Sequence, residues 1–175
     1  MQQPRIAPRA APYPPEVGSA LARAMPPGME PLNLFKTLAH SPRVLQRLFA
    51  GNLLDPGPLP LRERELLILR TCARCGCGYE WSVHAALFAR AAQLSPEQVA
   101  ATQAPGPAAD HGDGLLLRAA DELHDTSTLS DGLWAALAQR YEPAQMLEML
   151  ALCGYYHTIA FIANACRVAP EQWAA

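Results

Sequence analysis

Apolar residues recur at helical spacing along most of this sequence. Leu45, Leu48, Phe49 and Leu53 form one such stripe, spaced as one face of a helix. We find no stretch of alternating apolar and polar residues bounded by turn signals, which is the pattern of a half-buried strand. The sequence therefore predicts an all-α fold.

Capping residues and helix breakers indicate where the individual helices begin and end. A serine followed by proline at 41–42 and again at 95–96 is typical of a helix start, because the hydroxyl accepts from a free N–H and proline suits the first turn. Asn33 and Ser130 are further candidate caps. The predicted helices cover 33–40, a segment from 42, 62–74, a segment that ends at 92, a short segment from 96, 115–125, a segment that ends at 141 and 143–168, with loops at 55–58 and 104–114.

Residues 1–31 are rich in proline and differ in composition from the rest. Such a segment cannot bury enough apolar surface to fold alone, so we expect an arm that lies over a neighbouring subunit. The Pro-Pro-Gly at 26–28 would end any short helix around 16–25. Residues 32–175 are then the helical domain.

The last predicted helix is apolar almost all round. Such a helix is either the centre of the core or part of a subunit interface, and the sequence leaves both open. Glu148, Asn164 and His157 interrupt its apolar run, which favours a buried helix over a membrane span. We therefore expect a homo-oligomer that does not cross a membrane.

Composition narrows the choice of partners and compartment. The net charge is −2 and only 17% of residues are charged, so no basic field is available for nucleic acid. Residues 1–20 carry five prolines and no apolar core of a signal peptide. The five cysteines are an odd number without the spacing of a secreted disulfide framework. These features favour the cytoplasm.

Ionisable residues crowd the segment from Glu63 to His84, which also holds three of the five cysteines. If Cys77 begins the helix after the glycines, Glu80 and His84 follow on the same helix face. A tight turn would bring Glu65 of the preceding helix beside them. We therefore expect two carboxylates, a thiol and an imidazole to meet between two antiparallel helices.

The residues themselves leave four interpretations of this cluster open. Glu80 and His84 could form an ordinary i,i+4 pair, with the cysteines as small hydrophobes. A zinc site would combine His84 with the cysteines of the segment, Cys72, Cys75 and Cys77. Cys72 and Cys75 have the spacing of a redox dithiol. Proton transfer by Glu80 and His84, helped by the neighbouring carboxylate, is the fourth.

The string C-G-Y-E-W-S-V-H and its surroundings resemble the carboxymuconolactone decarboxylase-like family, which includes the AhpD-type alkylhydroperoxidases. The family's peroxidase pattern is E-x11-C-x2-C-x3-H. Glu65, Cys77 and His84 fit it, but Glu80 stands where the second cysteine belongs. The segments L-P-L-R-E-R-E-L-L-I-L-R and A-R-A-A-Q-L-S-P-E-Q-V fit the same family. The departure at residue 80 removes the resolving thiol of the peroxidases.

The resemblance implies an AhpD-like all-α domain of antiparallel helices, with an active-site helix hairpin, that assembles as a trimer or hexamer. It implies decarboxylation or related proton-transfer chemistry on a small carboxylate or lactone, with no cofactor or metal. A thiol peroxidase acting through Cys77 is the alternative, and a small-molecule-binding oligomer without turnover is the second alternative. The expected catalytic residues are Glu65, Cys77, Glu80 and His84.

A small anionic substrate also needs side chains that hold it. Arginine suits bidentate carboxylate binding, and the helix before the glycines offers four candidate cations: Arg62, Arg64, Arg70 and Arg74. The expected substrate-binding residues are Arg62, Tyr79, Trp81 and His157.

Overall fold

A computed structural model describes residues 3–105 and 112–173. Within these residues the chain forms nine helices and no strand, which confirms the all-α prediction. The helices are α1 (Pro15–Ala24), α2 (Asn33–Leu38), α3 (Pro42–Ala50), α4 (Leu61–Arg74), α5 (Gly78–Leu87), α6 (Pro96–Ala101), α7 (Asp113–Thr126), α8 (Asp131–Ala138) and α9 (Pro143–Cys166).

Two of the four predicted caps act as expected. The Ser41 hydroxyl accepts from the first turn of α3, and Ser95 forms a capping box at the start of α6. Asn33 instead lies inside α2, where its amide donates to the backbone carbonyl of Ala169. Ser130 precedes α8 without capping it, because its hydroxyl donates to Glu122.

The structure corrects one predicted helix end and describes only part of one predicted loop. The helix expected to end at 92 ends at Leu87, and turns follow as far as Gln93, whose φ is +56°. Part of the loop predicted at 104–114, residues 106–111, lies outside the described residues.

Helix α4 is the central helix of the fold. It packs mainly against α7, α9 and α5, and every residue from Glu65 to Cys72 is buried. A helix without a solvent-exposed face must be enclosed by neighbouring elements. The structure therefore gives α4 the central position that the sequence analysis considered for the last helix.

A buried arginine ties α4 to its neighbours. Arg70 makes two hydrogen bonds to the Asp121 carboxylate on α7, at 2.7 and 2.9 Å. It also donates to the backbone carbonyls of Thr102 and Ala104 after α6. A buried guanidinium needs this degree of pairing.

The N-terminal segment packs on its own chain. Val17, Ala20 and Leu21 of α1 are buried in the same core as the other helices, and α1 contacts α3. Three apolar side chains of the segment therefore find a surface within the chain, and its expected contact with a neighbouring subunit stays a prediction. The domain boundary at residue 31 stays a prediction.

Helix α9 has one buried face and one exposed face that is still partly apolar. Met146, Met149 and Leu152 are buried, whereas Leu147 and Phe161 are 66% and 67% exposed. Among the described residues, α9 alone is long and apolar enough to cross a membrane by length and composition. A core helix passes the same test, so this is weak support for a span. The oligomer and the compartment stay predictions.

Candidate active site

The tight connection between α4 and α5 builds the predicted helix hairpin. Cys75 caps the C-terminus of α4, Gly76 adopts φ +60°, and Cys77 occupies the N-cap position of α5. A residue with a side chain would be strained at that positive φ. The turn sends α5 back along α4, so that residues 19 positions apart, Glu65 and His84, come into contact.

A chain of hydrogen bonds runs from Glu65 through His84 to Tyr156. His84 Nδ1 lies 2.7 Å from Glu65 Oε2, and His84 Nε2 lies 2.8 Å from the Tyr156 hydroxyl. With its Nδ1–H donated to the carboxylate, the imidazole accepts the tyrosine proton at Nε2. The three side chains come from α4, α5 and α9 and are all buried. Glu65 therefore fixes both the orientation and the tautomer of His84.

Glu65 is also paired on its other side. Arg64 Nε lies 3.3 Å from Glu65 Oε1, and the Arg64 side chain donates to the backbone carbonyl of Leu54 at 2.7 Å. Glu65 is completely buried, and a buried carboxylate needs such partners to stay ionised.

Glu80 is the least satisfied polar group of the site. Its Oε1 lies 3.7 Å from His84 Nε2, while its Oε2 is buried without a hydrogen-bond partner. Burial raises the pKa of the Glu80 carboxyl, nearby Glu171 adds to this, and His84 acts in the opposite direction. A carboxyl in this environment retains its proton to higher pH and can donate it.

Cys77 is buried beside this network. Burial raises the pKa of the Cys77 thiol to about 11, although a hydrogen bond from the backbone N–H of Glu80 lowers it. All five cysteines are free. Because the thiolate is the reactive form, Cys77 is a poor nucleophile near neutral pH.

A cavity of about 550 Å³ opens onto Glu80 and His84. Its wall is mainly apolar and includes the hydroxyl-bearing rings of Tyr155 and Tyr156. Arg23, at the end of α1, is the one arginine among its described lining residues. The remaining described lining residues are Ala24, Met25, Pro26, Leu32, Leu34, Phe35, Leu38, Phe49, Asn52, Leu54, Asp55, Val83, Leu87, Phe88 and Ile159. The volume suits a small organic molecule.

The predicted substrate-binding residues lie elsewhere. Arg62 pairs with Asp113, and the Trp81 indole donates to Thr102. Tyr79 hydrogen bonds to the Glu171 carboxylate, whereas His157 contacts His124. None of the four predicted residues, Arg62, Tyr79, Trp81 and His157, lines the cavity.

The other candidate arginines also have partners within the chain. Arg70 is bound by Asp121, and Arg74 lies 2.6 Å from the Asp125 carboxylate. The zinc hypothesis of the sequence analysis is corrected too, because its four residues do not form a group of possible metal ligands. Its one partly exposed cysteine, Cys75, lies instead with two histidines of α7 and α9.

Two functional candidates were missed in the sequence. The sequence carries no local signal for either Tyr156 or Arg23. Helix α9 is apolar almost all round, so its sequence does not show which side faces the hairpin. Arg23 lies in the proline-rich segment 1–31.

Comparisons with known proteins agree with the all-α fold. The carboxymuconolactone decarboxylase family matches residues 41–124. No curated protein matches the sequence significantly. A structure from Ralstonia eutropha JMP134, described as an alkylhydroperoxidase AhpD core and an uncharacterized peroxidase-related protein, is 21% identical with a TM-score of 0.82, covering 99% of this chain and 96% of that one.

A second structure, an uncharacterized peroxidase-related protein from Silicibacter sp. TM1040, is 16% identical with a TM-score of 0.79. It covers 98% of this chain and 96% of its own. At these identities the two structures establish the fold alone. The resemblance drawn from the sequence is therefore confirmed: residues 41–124 match the carboxymuconolactone decarboxylase family, and the chain has the AhpD core fold.

Proposed function

We propose that this protein is a carboxymuconolactone decarboxylase-like enzyme that transfers a proton to carbon during decarboxylation of a small organic acid. The observation that carries the proposal is Glu80, a residue that lines the cavity and whose buried carboxyl has a raised pKa and one oxygen without a hydrogen-bond partner. A buried acid with a raised pKa holds its proton to higher pH than an ordinary glutamate, which suits protonation of an enolate carbon.

The reaction would use the side chains as follows. The bond between the substrate's carboxylate and its neighbouring carbon breaks, CO2 leaves, and the electron pair moves into an adjacent carbonyl as an enolate. Glu80 gives its proton to the carbon, and the resulting Glu80 carboxylate recovers a proton from solvent. The net change is loss of CO2 with uptake of one proton.

His84 and Tyr156 support this step rather than start it. The Glu65 carboxylate orients the imidazole of His84 through Nδ1, and the same imidazole lies beside Glu80, with Nε2 3.7 Å from Oε1. The tyrosine hydroxyl fixes the second imidazole nitrogen on the side of the cavity. Arg23 gives the cavity a cation for an anionic substrate.

The test first measures decarboxylation of a panel of β-keto acids and lactone acids by the wild type. The variants are then assayed with the best substrate. Glu80→Gln and His84→Ala should each lower kcat by roughly 10²- to 10⁴-fold, the range typical of a general acid. Glu97→Gln, on the exposed surface of α6, is the matched control and should retain activity. Full activity in both site variants would exclude the proposal.

A thiol peroxidase that acts through Cys77 is the second candidate. Two observations favour it: the thiol lies at the N-cap of α5 and accepts from the backbone N–H of Glu80, and both similar structures are described as peroxidase-related. The raised pKa of Cys77 opposes it. Treatment of the reduced protein with a hydroperoxide, followed by disulfide mapping, decides: consumption of peroxide with oxidation of Cys77 would favour this candidate over the decarboxylase.

A further inference from the structure

Three possible metal ligands meet on the side of the hairpin turn, at residues that do not line the active-site cavity. They are Cys75 at the C-terminus of α4, His124 in the last turn of α7 and His157 in α9. The thiol sulfur, His124 Nδ1 and His157 Nε2 all lie within 4.8 Å of one another. Each residue is partly buried and partly open to solvent, so an ion can reach them.

The distances within this cluster are close to those of a tetrahedral site. Cys75 Sγ lies 3.7 Å from His124 Nδ1, and His124 Nδ1 lies 3.0 Å from His157 Nε2. For zinc bound at the usual lengths, the edges of the tetrahedron are about 3.6 Å between sulfur and nitrogen and about 3.4 Å between two nitrogens. On binding, the two ring nitrogens would move apart by a few tenths of an ångström, while Cys75 Sγ and His157 Nε2 lie within 4.8 Å of each other.

The surrounding hydrogen bonds already orient the ligands. His157 Nδ1 lies 2.8 Å from the backbone carbonyl of Cys153, a bond that requires the proton on Nδ1 and leaves the Nε2 lone pair facing the cluster. Asn164 donates to the backbone carbonyl of Cys75 and steadies the end of α4. Metal-binding histidines typically donate their other ring N–H to a backbone carbonyl, as His157 does.

Hydrogen bonding alone does not satisfy the cluster. Because His157 presents a lone pair, His124 must place its proton between the two rings. That proton cannot at the same time form a strong hydrogen bond with the Cys75 sulfur. Neutral imidazole is the form that binds a metal.

We propose that Cys75, His124 and His157 form a binding site for Zn²⁺, with the fourth position open to water or another ligand. One thiolate with two imidazoles suits zinc and disfavours Mg²⁺ or Ca²⁺, which prefer oxygen. Binding moves the His124 proton to Nε2 and releases the Cys75 thiol proton to solvent. The ion would tie the ends of α4 and α7 to the middle of α9.

The first test measures the metal alone. The purified chain, stripped with a chelator and kept reduced, is titrated with Zn²⁺ and with Co²⁺, whose thiolate charge-transfer absorption reports a Co–S bond. One equivalent per chain is expected, with a rise in Tm. Cys75→Ser, His124→Ala and His157→Ala should each weaken binding at least tenfold. Cys166→Ser, which alters the other partly exposed cysteine, is the matched control and should bind as the wild type does.

A second measurement needs no substitution and serves if a variant does not fold. Cys75 and Cys166 are partly exposed, whereas Cys72, Cys77 and Cys153 are buried. Alkylation of the native protein, followed by peptide mass spectrometry, should show Zn²⁺ protecting Cys75 by tenfold or more while Cys166 reacts as before. Equal alkylation of Cys75 with and without Zn²⁺, or stoichiometric binding that survives all three substitutions, would overturn the proposal.

Discussion

Replacement of Glu80 by glutamine should make the protein more stable and less active at the same time. Burial holds the pKa of the Glu80 carboxyl above its ordinary value of 4.5. At higher pH, ionisation therefore costs the folded state free energy that the unfolded state does not lose. Glutamine has nearly the same shape and carries no charge at any pH. The substitution therefore removes a pH-dependent penalty and leaves the packing nearly unchanged.

The sign and size of the effect follow from proton linkage. With a raised pKa in the folded state, the contribution of neutral Glu80 is fully present below about pH 4.5 and is lost as pH rises through the folded pKa. The difference in unfolding free energy between Glu80→Gln and the wild type should therefore grow with pH and then level off. The total growth is about 1.4 kcal/mol for each unit by which the pKa is raised.

Urea unfolding of both proteins at several pH values between about 4 and about 8 measures this difference directly. Glu97→Gln is a control of opposite sign, because the Ser95 hydroxyl lowers the pKa of that exposed carboxyl. The stabilisation by the Glu97 carboxylate is present above the pKa of this group in the unfolded state and disappears on acidification. A Glu80→Gln difference that is constant across the pH range would refute the account of Glu80 as a neutral buried acid.

Three further predictions test other parts of the structure. Tyr156→Phe removes the hydroxyl that bonds His84 Nε2 at 2.8 Å; chemical denaturation should show a loss of about 1–3 kcal/mol, typical of a buried group left without its partner. Arg70→Met leaves the Asp121 carboxylate without its two bonds and should cost about 3–5 kcal/mol, and an unchanged Tm would contradict the pairing. Because burial raises the pKa of Cys77 to about 11, its alkylation should stay slow at neutral pH and rise roughly tenfold per pH unit above it, as mass spectrometry of the Cys77 peptide would record.

The sequence predicted the hairpin well because the information for it is local. Helix α4 begins directly after Pro60, Gly76 with its positive φ makes the tight turn, and Cys77 to His84 follow at helical spacing. Each of these features is set within a few residues. Helical periodicity then places Glu80 and His84 on one face. The contact of Glu65 with His84 needs only the further inference that a tight turn reverses the chain.

Residues contributed by distant segments could not be predicted in this way. Tyr156 reaches His84 across 72 positions, and which side of an all-apolar helix faces the hairpin depends on packing that no local pattern records. The same holds for Arg62, Arg70 and Arg74, whose partners Asp113, Asp121 and Asp125 lie on α7. Their positive charge alone suggested that these arginines could bind a substrate carboxylate.

The position of Glu80 is difficult to account for by stability. The carboxyl is buried, one of its oxygens has no partner, and its pKa is raised, so both hydrogen bonding and ionisation act against the folded state. Glu65, on the neighbouring helix, is a buried carboxyl with partners: it is bound by Arg64 and by His84. Unpaired, strained or charge-destabilised groups that persist in a folded protein cluster at functional sites. The contrast between two buried glutamates on either side of one imidazole therefore supports the proposal that Glu65 orients His84 and that Glu80 carries the chemistry.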